Sequence, residues 1–293
     1  MDFAKRYQYD GAGKFSLKDC PTCDLSEFHK KSEAAGDIAR NIKKLSVMQD
    51  MLYAQTKHAI LIVFQALDAA GKDSTIKHVM SGINPQGCHV VSFKTPSAEE
   101  LDHDYMWRIN KNLPARGHIG IFNRSHYEEV LITRVHPEFV LAEKIPGIDS
   151  VNVIGKDFWE DRFEDIRNYE KYLSRNGFTI IKFFLHVSKD EQKKRFLKRI
   201  NMKEKNWKLS ASDMKERALW DEYQQAFEDA IAHTSTEKNP WYIVPADKKW
   251  FMRLAVSEII NERMEKLDLH YPTVPYEQVQ ELEQIKGKLL DEK

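Results

Sequence analysis

The chain has 293 residues, of which 42% are hydrophobic and 31% charged, and its 45 Lys and Arg are balanced by 45 Asp and Glu. This length and composition favour one compact domain over residues 1–293. A neutral total argues against a nucleic-acid-binding protein, which needs a basic excess. With no apolar stretch of about 18–20 residues and no signal-peptide pattern at the start, the sequence predicts a cytoplasmic protein without a membrane partner.

The N-terminal segment, residues 1–32, carries scattered glycine, proline and charge, and it predicts an extended arm laid over the surface. Within it, Cys20 and Cys23 have the spacing of a zinc knuckle. No second pair of ligands follows at a usable distance, so the sequence predicts neither a metal centre nor a redox centre there. Three cysteines in the chain fit a reducing compartment.

Helix-spaced apolar residues then predict one long helix over 32–58, after which short apolar runs alternate with helical segments. The runs predict strands at Ala59–Phe64, His89–Phe93, Ile119–Phe122, Thr179–Val187 and Trp241–Val244. Helices are predicted over Lys72–Gly82, Ala98–Asn112, Ser125–Val135, Phe158–Asn176, Lys189–Met202, Ala211–Thr234 and Lys248–Leu267. Because continuous apolar runs suit strands buried on both faces, we expect an α/β fold with a five-stranded parallel sheet. The motifs then share one edge of that sheet.

The first predicted strand leads into a near match to the phosphate-binding pattern GxxxxGK[ST]. Ala66 replaces the first glycine and Asp73 replaces the hydroxyl residue after Lys72. In such a loop, backbone N–H groups and the next helix N-terminus hold phosphate, while the lysine reaches the distal phosphates. The predicted phosphate-binding residues are Ala69, Ala70, Gly71, Lys72, Asp73 and Ser74; the alternative is a simple tight turn. Asp68, a carboxylate within the loop, indicates a nearby metal ion or a transferable proton.

A second motif follows the third predicted strand, which ends at Asn123-Arg124 with Glu128 about one turn into the next helix. P-loop enzymes usually place a magnesium-binding aspartate where this chain has Asn123. Arg124 and Arg134, about three turns apart, are suited to clamp the charge of a transferring phosphoryl group. We favour a role at the site for Glu128, and for Glu129 a favourable charge at a helix N-terminus.

A third segment, residues 188–208, is strongly basic in an otherwise neutral chain. It has nine basic residues against three acidic ones, a net charge of +6. Such a run is often only a solvated helix face. The alternative is a hinged lid over 188–215 that closes on a polyanion, because the run ends in Asn206-Trp207-Lys208-Leu209-Ser210 with an apolar anchor among its charges.

Together these motifs resemble the second family of polyphosphate kinases, P-loop enzymes that move phosphoryl groups between inorganic polyphosphate and nucleotides. The resemblance covers roughly residues 35–265, and Phe122–Glu129 resembles the class that accepts both nucleoside mono- and diphosphates. It implies a thymidylate-kinase-like P-loop kinase fold, with three α/β/α layers and a helical lid. Its most specific segments are Asp68–Ser74, Asn123–Glu129, Lys205–Ser210 and Asn239–Lys249.

The resemblance also implies roles for single residues. The catalytic residues would be Asp68, Lys72 and Arg124, with Lys72 and its loop holding polyphosphate and the nucleotide entering from the opposite side. Arg134 and the lid residues Arg199, Lys205 and Lys208 would bind phosphate. The nucleotide would contact Asp68, Asn123, Arg124 and Glu128, and the carboxylates of Asp68 and Glu128 would hold Mg²⁺, the predicted cofactor.

The sequence thus predicts a reversible, Mg²⁺-dependent phosphotransferase that uses polyphosphate with AMP and ADP, or with GMP and GDP, and that forms a homo-oligomer, a dimer or a tetramer. Two alternatives remain: an ATP-dependent nucleoside monophosphate kinase, and a P-loop nucleotide-binding switch without turnover. The chain lacks an obvious Asn-Lys-x-Asp guanine-recognition motif, which argues against the switch. The sequence leaves open the base preference, the length of the polyphosphate and the direction of the reaction.

Overall fold

The computed structural model describes residues 2–25, 28 and 30–292, and of Lys208 it describes the backbone alone. A six-stranded sheet with the order β1-β6-β5-β2-β4-β3 forms the centre of the fold. Strands β2 to β6 run parallel, while β1 pairs with β6 in the antiparallel sense. The strands are β1 (Gln8–Tyr9), β2 (Ala59–Gln65), β3 (Cys88–Ser92), β4 (Ile119–Asn123), β5 (Phe178–His186) and β6 (Trp241–Pro245).

Helices cover both faces of the sheet. They are α1 (Phe3–Tyr7), α2 (Lys31–Gln55), α3 (Lys72–Val79), α4 (Ala98–Leu101), α5 (Trp107–Asn110), α6 (Glu128–Val135), α7 (Lys156–Arg175), α8 (Lys189–Ile200), α9 (Ala211–Ala218), α10 (Trp220–Thr234), α11 (Lys249–Glu265) and α12 (Tyr276–Asp291). Short 3₁₀ helices lie at Leu17–Asp19, Pro85–Gly87, Pro137–Glu143, Val151–Val153 and Asn206–Lys208. Among the described residues, no helix is both long and apolar enough to cross a membrane.

Strand β2 shows how the sheet separates two hydrophobic cores. Because successive side chains of a strand point to opposite faces, Ile60 and Ile62 join a core with α1, α2, α3 and α11. Leu61 and Val63 join the other core, with α6, α7 and α10. All seven residues of β2 are buried, as expected for a central parallel strand. The predicted three-layer α/β/α architecture is therefore confirmed.

The N-terminal segment differs from its prediction as an extended surface arm. Phe3 and Tyr7 of α1 are buried in the first core, and the N–H groups of Phe3 and Ala4 donate to the carboxylate of Glu262. The next two residues, Gln8 and Tyr9, form the sixth strand of the sheet. The prediction of five strands was wrong by this one strand, because two residues are too few to show a strand periodicity.

Two predicted helices are also divided. The segment 98–112 forms α4 and α5, and 211–234 forms α9 and α10 with a break at Leu219, whose backbone leaves the helical region. Helix α12 lies beyond every predicted helix. Periodicity detects an amphipathic face, but it does not detect a local change of helix direction, so these breaks could not be predicted.

Candidate active site

The loop between β2 and α3 contains two residues in the left-handed backbone region, which residues with a side chain rarely adopt. Ala69 and Gly71 both have positive φ, 60° and 115°, a region that glycine adopts without strain. A Cβ at position 71 would lie 3.2 Å from Cε of Met252. The glycine of the Gly-Lys pair is thus required both by its conformation and by the close approach of α11.

Lys72 lies at the start of α3, where the first N–H groups of a helix have no partner within it. Its side chain is only 9% exposed, and its Nζ donates to the carbonyl oxygen of Ala66 over 2.6 Å. Burial lowers the pKa of Lys72 and the nearby charge of Arg124 lowers it further, while Asp68 opposes both. An anion that binds beside this ammonium stabilises its charged form and raises its pKa again. The buried Lys72 therefore favours the binding of an anion.

Arg195 fixes the outer side of this loop. The sequence counts it among the charges of the lid, but its side chain is buried, and Nη1 donates to the carbonyl oxygens of Ala69 and Ala70. Nη2 donates to the carbonyl oxygen of Ala246, just after the end of β6, over 2.6 Å. The peptide N–H of Gly71 is directed opposite to the carbonyl of Ala70 because the peptide is planar. Arg195 therefore holds these loop carbonyls, and the N–H of Gly71 points away from the Arg195 guanidinium.

Asp68, Arg124 and Glu128 form one charged cluster beside Lys72. Arg124 has a left-handed backbone, with φ of 65°, and its side chain reaches Asp68 of the loop. Its Nη2 lies 3.3 Å from Oδ1 of Asp68 and its Nη1 lies 3.8 Å from Oε2 of Glu128. Burial raises the pKa of Glu128, while the charges of Arg124 and Lys72 oppose that rise. The structure thus brings together the three predicted catalytic residues and Glu128.

Asn123, at the end of β4, contacts the loop from the same edge of the sheet. Its Nδ2 donates to Oδ1 of Asp73 over 2.9 Å and lies 3.4 Å from Oγ of Ser92. Ser74 donates its hydroxyl to the carbonyl oxygen of Gly71. Strands β2 and β4 are hydrogen-bonded neighbours, and this pairing explains why two motifs about fifty residues apart meet.

These residues line a cleft of about 1190 Å³. That volume is slightly above the roughly 300–1,000 Å³ of a single small-ligand pocket, as a site that takes two substrates requires. One end, which we call the cationic end, lies where α8 and α11 flank the loop and includes Lys198, Arg199, Lys205 and Lys249.

Lys249 at the cationic end was missed as a site residue. Partial burial and the positive charges of Arg195, Arg253, Lys198 and Arg199 together lower its pKa to about 8, although part of its surface is exposed. A cluster of cations that destabilise one another is suited to a polyanion, which neutralises them together. The only signal in the sequence was the segment Asn239–Lys249, which the family resemblance included but which has no chemical pattern of its own.

The opposite end, which we call the apolar end, is lined by Phe93, Pro96, Leu101, Ile132 and Phe139, with the carboxylates of Glu100, Glu129 and Glu143 among them. Glu129 lies in the first turn of α6, where its predicted role is a helix-terminus charge, and it also contacts two arginines. Arg108 donates to it over 3.3 Å and Arg162 lies 3.8 Å away. Burial raises the pKa of Glu129 to about 7, with Glu143 adding to the rise and the two arginines opposing it.

Three predicted phosphate ligands differ in placement. Arg199 and Lys205 line the cleft, whereas Arg134 is not among its lining residues. Arg134 instead pairs with Asp229 over 3.3 Å and lies over the ring of Trp159. The prediction assumed that Arg134, about three turns after Arg124, lies on the same side as Arg124. In the structure Arg134 lies on the side of α6 that faces α10. The side chain of Lys208 lies outside the described residues.

Helix α9, whose first residues belong to the predicted lid segment, is attached to the cleft wall by side chains that no sequence motif singles out. Glu216 of α9 accepts from the hydroxyl of Tyr223 over 2.6 Å, and Nε2 of His136 lies 2.8 Å from the same carboxylate oxygen. All three residues line the cleft. Helix α9 is thus bonded to the end of α6 through His136.

A parallel sheet whose central strand ends in a lysine-bearing loop, with an arginine and carboxylates from the adjacent strand, defines a P-loop phosphotransferase. A family model, Polyphosphate kinase 2 (PPK2), matches residues 28–272. The chain therefore belongs to the polyphosphate kinase 2 family, which confirms the resemblance seen in its sequence.

Individual relatives cover nearly the whole chain. An ADP-polyphosphate phosphotransferase of Rhodopseudomonas palustris is 50% identical over 287 residues, 98% of each chain. An AMP/ADP-polyphosphate phosphotransferase of Meiothermus ruber is 42% identical over 269 residues, 92% of this chain and 95% of that one. The crystal structure of Polyphosphate Kinase 2 from Arthrobacter aurescens TC1 matches with a TM-score of 0.87 and 35% identity, and covers 97% of this chain and 96% of that one.

Proposed function

We propose that this protein transfers phosphoryl groups between inorganic polyphosphate and adenine nucleotides, accepting both AMP and ADP. The observation that carries the proposal is the two-ended cleft, in which Lys72, Asp68, Arg124 and Glu128 lie between a cationic end and an apolar end. A polyphosphate chain suits the first end and a nucleoside suits the second. The names of the Rhodopseudomonas palustris and Meiothermus ruber relatives support the same reaction.

The cationic end would hold the donor. Lys198, Arg199, Lys205 and Lys249 line it without a matching number of carboxylates, and a chain of phosphates would present several negative charges to them. Lys72 and the N-terminus of α3 would bind the terminal phosphoryl group, since helix N-termini favour anions. The acceptor phosphate oxygen would attack the terminal phosphorus while the bond to the bridging oxygen breaks, in line with the attack.

Arg124 would neutralise the charge that develops on the transferring group, because its guanidinium reaches the loop from β4 and is held there by Asp68 and Glu128. Asp68 would hold Arg124 and the acceptor phosphate in the positions that in-line attack on the terminal phosphorus requires. The nucleoside would lie at the apolar end, where Glu100 offers a carboxylate to base N–H groups beside Pro96 and Leu101. Arg134 has no place in this proposal.

The carboxylates of Asp68 and Glu128 suit Mg²⁺, which takes one or two protein carboxylates and completes its shell with phosphate oxygens and water. Their side chains are 35% and 15% exposed and both face the charged cluster. The described residues include no group of three or more His, Cys, Asp or Glu placed to hold a metal. When bound, the ion would supply positive charge to the phosphates of both substrates. A cytoplasmic location remains a prediction.

The test is an assay with AMP and polyphosphate in the absence of ATP, with ADP and ATP quantified by chromatography. We expect both products to form, and EDTA to stop their formation until Mg²⁺ is restored. Product only when ATP is the donor would favour the nucleoside monophosphate kinase, and tight nucleotide binding without turnover would favour the switch. As a control, Lys72→Met should lower kcat by about 10²–10³-fold, the typical loss when one charge-stabilising donor is removed.

A further inference from the structure

Asp247 lies two residues after the end of β6, in the segment Asn239–Lys249, which has no chemical pattern of its own. All four of its polar atoms, two of the backbone and two of the carboxylate, take part in hydrogen bonds. Its N–H donates to the carbonyl oxygen of Thr22 over 2.9 Å, and its Oδ2 accepts from the Thr22 hydroxyl over 3.0 Å. Its Oδ1 accepts from the N–H of Ser188 over 2.8 Å, and its carbonyl oxygen accepts from Nη2 of Arg195 over 3.1 Å. These contacts connect separate parts of the chain, although Asp247 itself does not line the cleft.

The bond to Ser188 holds the start of α8. Ser188 is the N-cap of this helix, and the first N–H groups of a helix have no partner within it. A carboxylate is favourable there, because a helix N-terminus carries partial positive charge. The same helix carries Arg195, whose Nη1 donates to the carbonyl oxygens of Ala69 and Ala70 in the phosphate loop. Asp247 therefore holds the start of the helix that carries Arg195 and, through its own carbonyl oxygen, one side of the Arg195 guanidinium.

Residues 17–24, which we call the strap, hold the other side of Asp247. Leu17 at the start of the strap is 2% exposed, and its N–H donates to Oε2 of Glu228 on α10 over 2.7 Å. Thr22 follows five residues later and forms both of its hydrogen bonds with Asp247 in a reciprocal pair, one from each partner. No residue of the strap lines the cleft. The strap can thus influence the cleft only through the residues that it contacts.

We propose that Asp247 is a positioning residue for phosphoryl transfer and that the strap, through Thr22, helps to hold the phosphate loop in place. The contacts run from Thr22 to Asp247, from Asp247 to Arg195, and from Arg195 to the carbonyl oxygens of Ala69 and Ala70. This role rests on the proposed function, in which the loop holds the donor phosphates. Small displacements of a bound phosphate slow its transfer strongly, so the loss of a support of the loop should affect both binding and rate.

The charge of Asp247 would by itself have the opposite effect on the donor. Asp247 lies two residues before Lys249 of the cationic end, and a carboxylate near a polyanion repels it. If Asp247 acted only through its charge, its removal would lower the dissociation constant for a phosphate chain. If it acts by positioning the loop, its removal raises that constant. The two explanations therefore predict changes of opposite sign.

The test measures tripolyphosphate binding by calorimetry without nucleotide, and then KM and kcat for polyphosphate and AMP. Asp247→Ala should raise the dissociation constant for tripolyphosphate and the KM for polyphosphate about tenfold, less than the roughly 10²-fold that a displacement of about 1 Å can cost. The KM for AMP should change little, because the hydrogen bonds of Asp247 go to the strap and α8. A purely structural role would reduce the amount of folded enzyme, which lowers the apparent kcat and leaves the dissociation constant and both KM values unchanged.

Two further variants test the path of contacts. Asp247→Asn should bind tripolyphosphate as tightly as wild type or more tightly, because its amide oxygen can accept from Ser188, its amide N–H can donate to the Thr22 hydroxyl, and its negative charge is gone. Thr22→Val should raise the dissociation constant about fivefold, the effect of one ordinary hydrogen bond. Added to Asp247→Ala, Thr22→Val should have no further effect, because Thr22 acts through Asp247.

Thr236→Val is the matched control for Thr22→Val. Thr236 is half-buried like Thr22, and its hydroxyl accepts from the N–H of Asn239 over 3.1 Å. It precedes β6, so it lies at the opposite end of that strand from Asp247, and it does not line the cleft. This variant should bind tripolyphosphate and turn over both substrates as wild type does.

An Asp247→Ala variant that binds tripolyphosphate as wild type does, or more tightly, would overturn the proposal, as would additive effects of Asp247→Ala and Thr22→Val. If circular dichroism shows that Asp247→Ala does not fold, equal dissociation constants in Thr22→Val and Thr236→Val would overturn it. Wild-type protein that binds tripolyphosphate but forms no product from AMP and polyphosphate would contradict the proposed function alone, because the dissociation constants would still decide whether Asp247 positions the loop.

Discussion

At the scale of single residues, the charged groups of the cleft are held in place before any substrate binds. Lys72 donates to a backbone carbonyl, and Arg124 lies between Asp68 and Glu128. A cation that is already desolvated and oriented loses little free energy when phosphate arrives, and a positioned charge acts more strongly in a site that excludes water. The same residues that fix the loop are therefore those proposed to act on the phosphoryl group.

Lys249 gives the first prediction, a dependence of polyphosphate binding on pH. Its pKa is lowered to about 8, first by burial and then by Arg195 and other nearby cations. A lysine is charged below its pKa and neutral above it, so one positive charge is lost from the cationic end as the pH rises from 7 to 9. The KM for polyphosphate should rise over this range, as measured by initial rates at saturating AMP.

Lys249→Arg should flatten this pH dependence, because an arginine stays charged throughout the range. Lys248→Gln serves as the matched control, since it removes the same charge from the preceding exposed residue, which does not line the cleft. A pH profile that is the same in wild type and in Lys249→Arg would show that another group titrates.

The residues of the site differ in how far the sequence could predict them. Asp68, Lys72 and Arg124 were predictable because each lies within seven residues after a strand, where position in the chain limits position at the edge of the sheet. Arg134 lies on a helix, and its direction depends on how α6 is rotated against α7 and α10. Arg195 shows a second limit, because a run of charge does not reveal which member turns inward to hold carbonyl groups.

At the scale of elements, α8 has two distinct roles. Its inner face clamps the phosphate loop through Arg195 and Gln192, whose Nε2 donates to the carbonyl oxygen of Asp68 over 2.9 Å. Its outer face is exposed at Lys193 and Lys194. A helix bonded in this way to the loop cannot swing freely, so we expect the movement of the predicted lid to come from the segment between α8 and α9, residues 201–210. That segment carries Lys205 and Lys208.

The second prediction concerns this segment. Lys205→Ala with Lys208→Ala should raise the KM for polyphosphate several-fold while leaving the KM for AMP nearly unchanged. The difference should be largest at low ionic strength, because exposed charges are screened within about 10 Å at 0.1 M salt. Initial rates at two salt concentrations measure the effect.

Lys193→Ala with Lys194→Ala removes the same number of charges from exposed positions of α8 that do not line the cleft, and it should leave both constants close to wild type. An equal effect in the two double variants would mean that the net charge of the lid region matters, and not the position of its lysines.

Helix α1 gives the third prediction, which concerns stability. Phe3 is 3% exposed and its ring packs 6.1 Å from that of Phe251. Phe3→Ala should lower the free energy of unfolding by about 3 kcal/mol, the low end for deletion of a buried aromatic ring. Urea denaturation followed by circular dichroism measures the change. Lys5→Ala, at an exposed position of the same helix, should stay within about 0.5 kcal/mol of wild type; an extended surface arm would give equal results for both.

At the scale of the whole molecule, a buried polar network joins the sheet to the helices of one layer. Lys182 of β5 is fully buried, and its Nζ donates to Oε2 of Glu170 over 2.7 Å and to the carbonyl oxygen of Thr234 over 2.9 Å. Glu170 also accepts from the hydroxyl of Tyr127 over 2.7 Å. Tyr127 immediately precedes Glu128 of the charged cluster, so this network links the core to the catalytic edge of the sheet.

The fourth prediction is that the two ions of this network depend on each other. Lys182→Met leaves Glu170 buried without its cation and should cost about 3–5 kcal/mol in urea unfolding at pH 7, whereas adding Glu170→Gln should recover at least about 2 kcal/mol.

The same pair predicts a dependence on pH. Burial acts to raise the pKa of Glu170 and Lys182 acts to lower it, so in the single variant the pKa of Glu170 in the folded state should be raised. Its folded state then binds a proton more readily than its unfolded state, and its stability relative to wild type should increase as the pH falls from 7 to 5. The double variant has no carboxylate at position 170 and should show no such increase in stability. If the free energy of unfolding that the single variant loses is the same at pH 5 and pH 7, lost packing causes the loss, and not an unpaired charge.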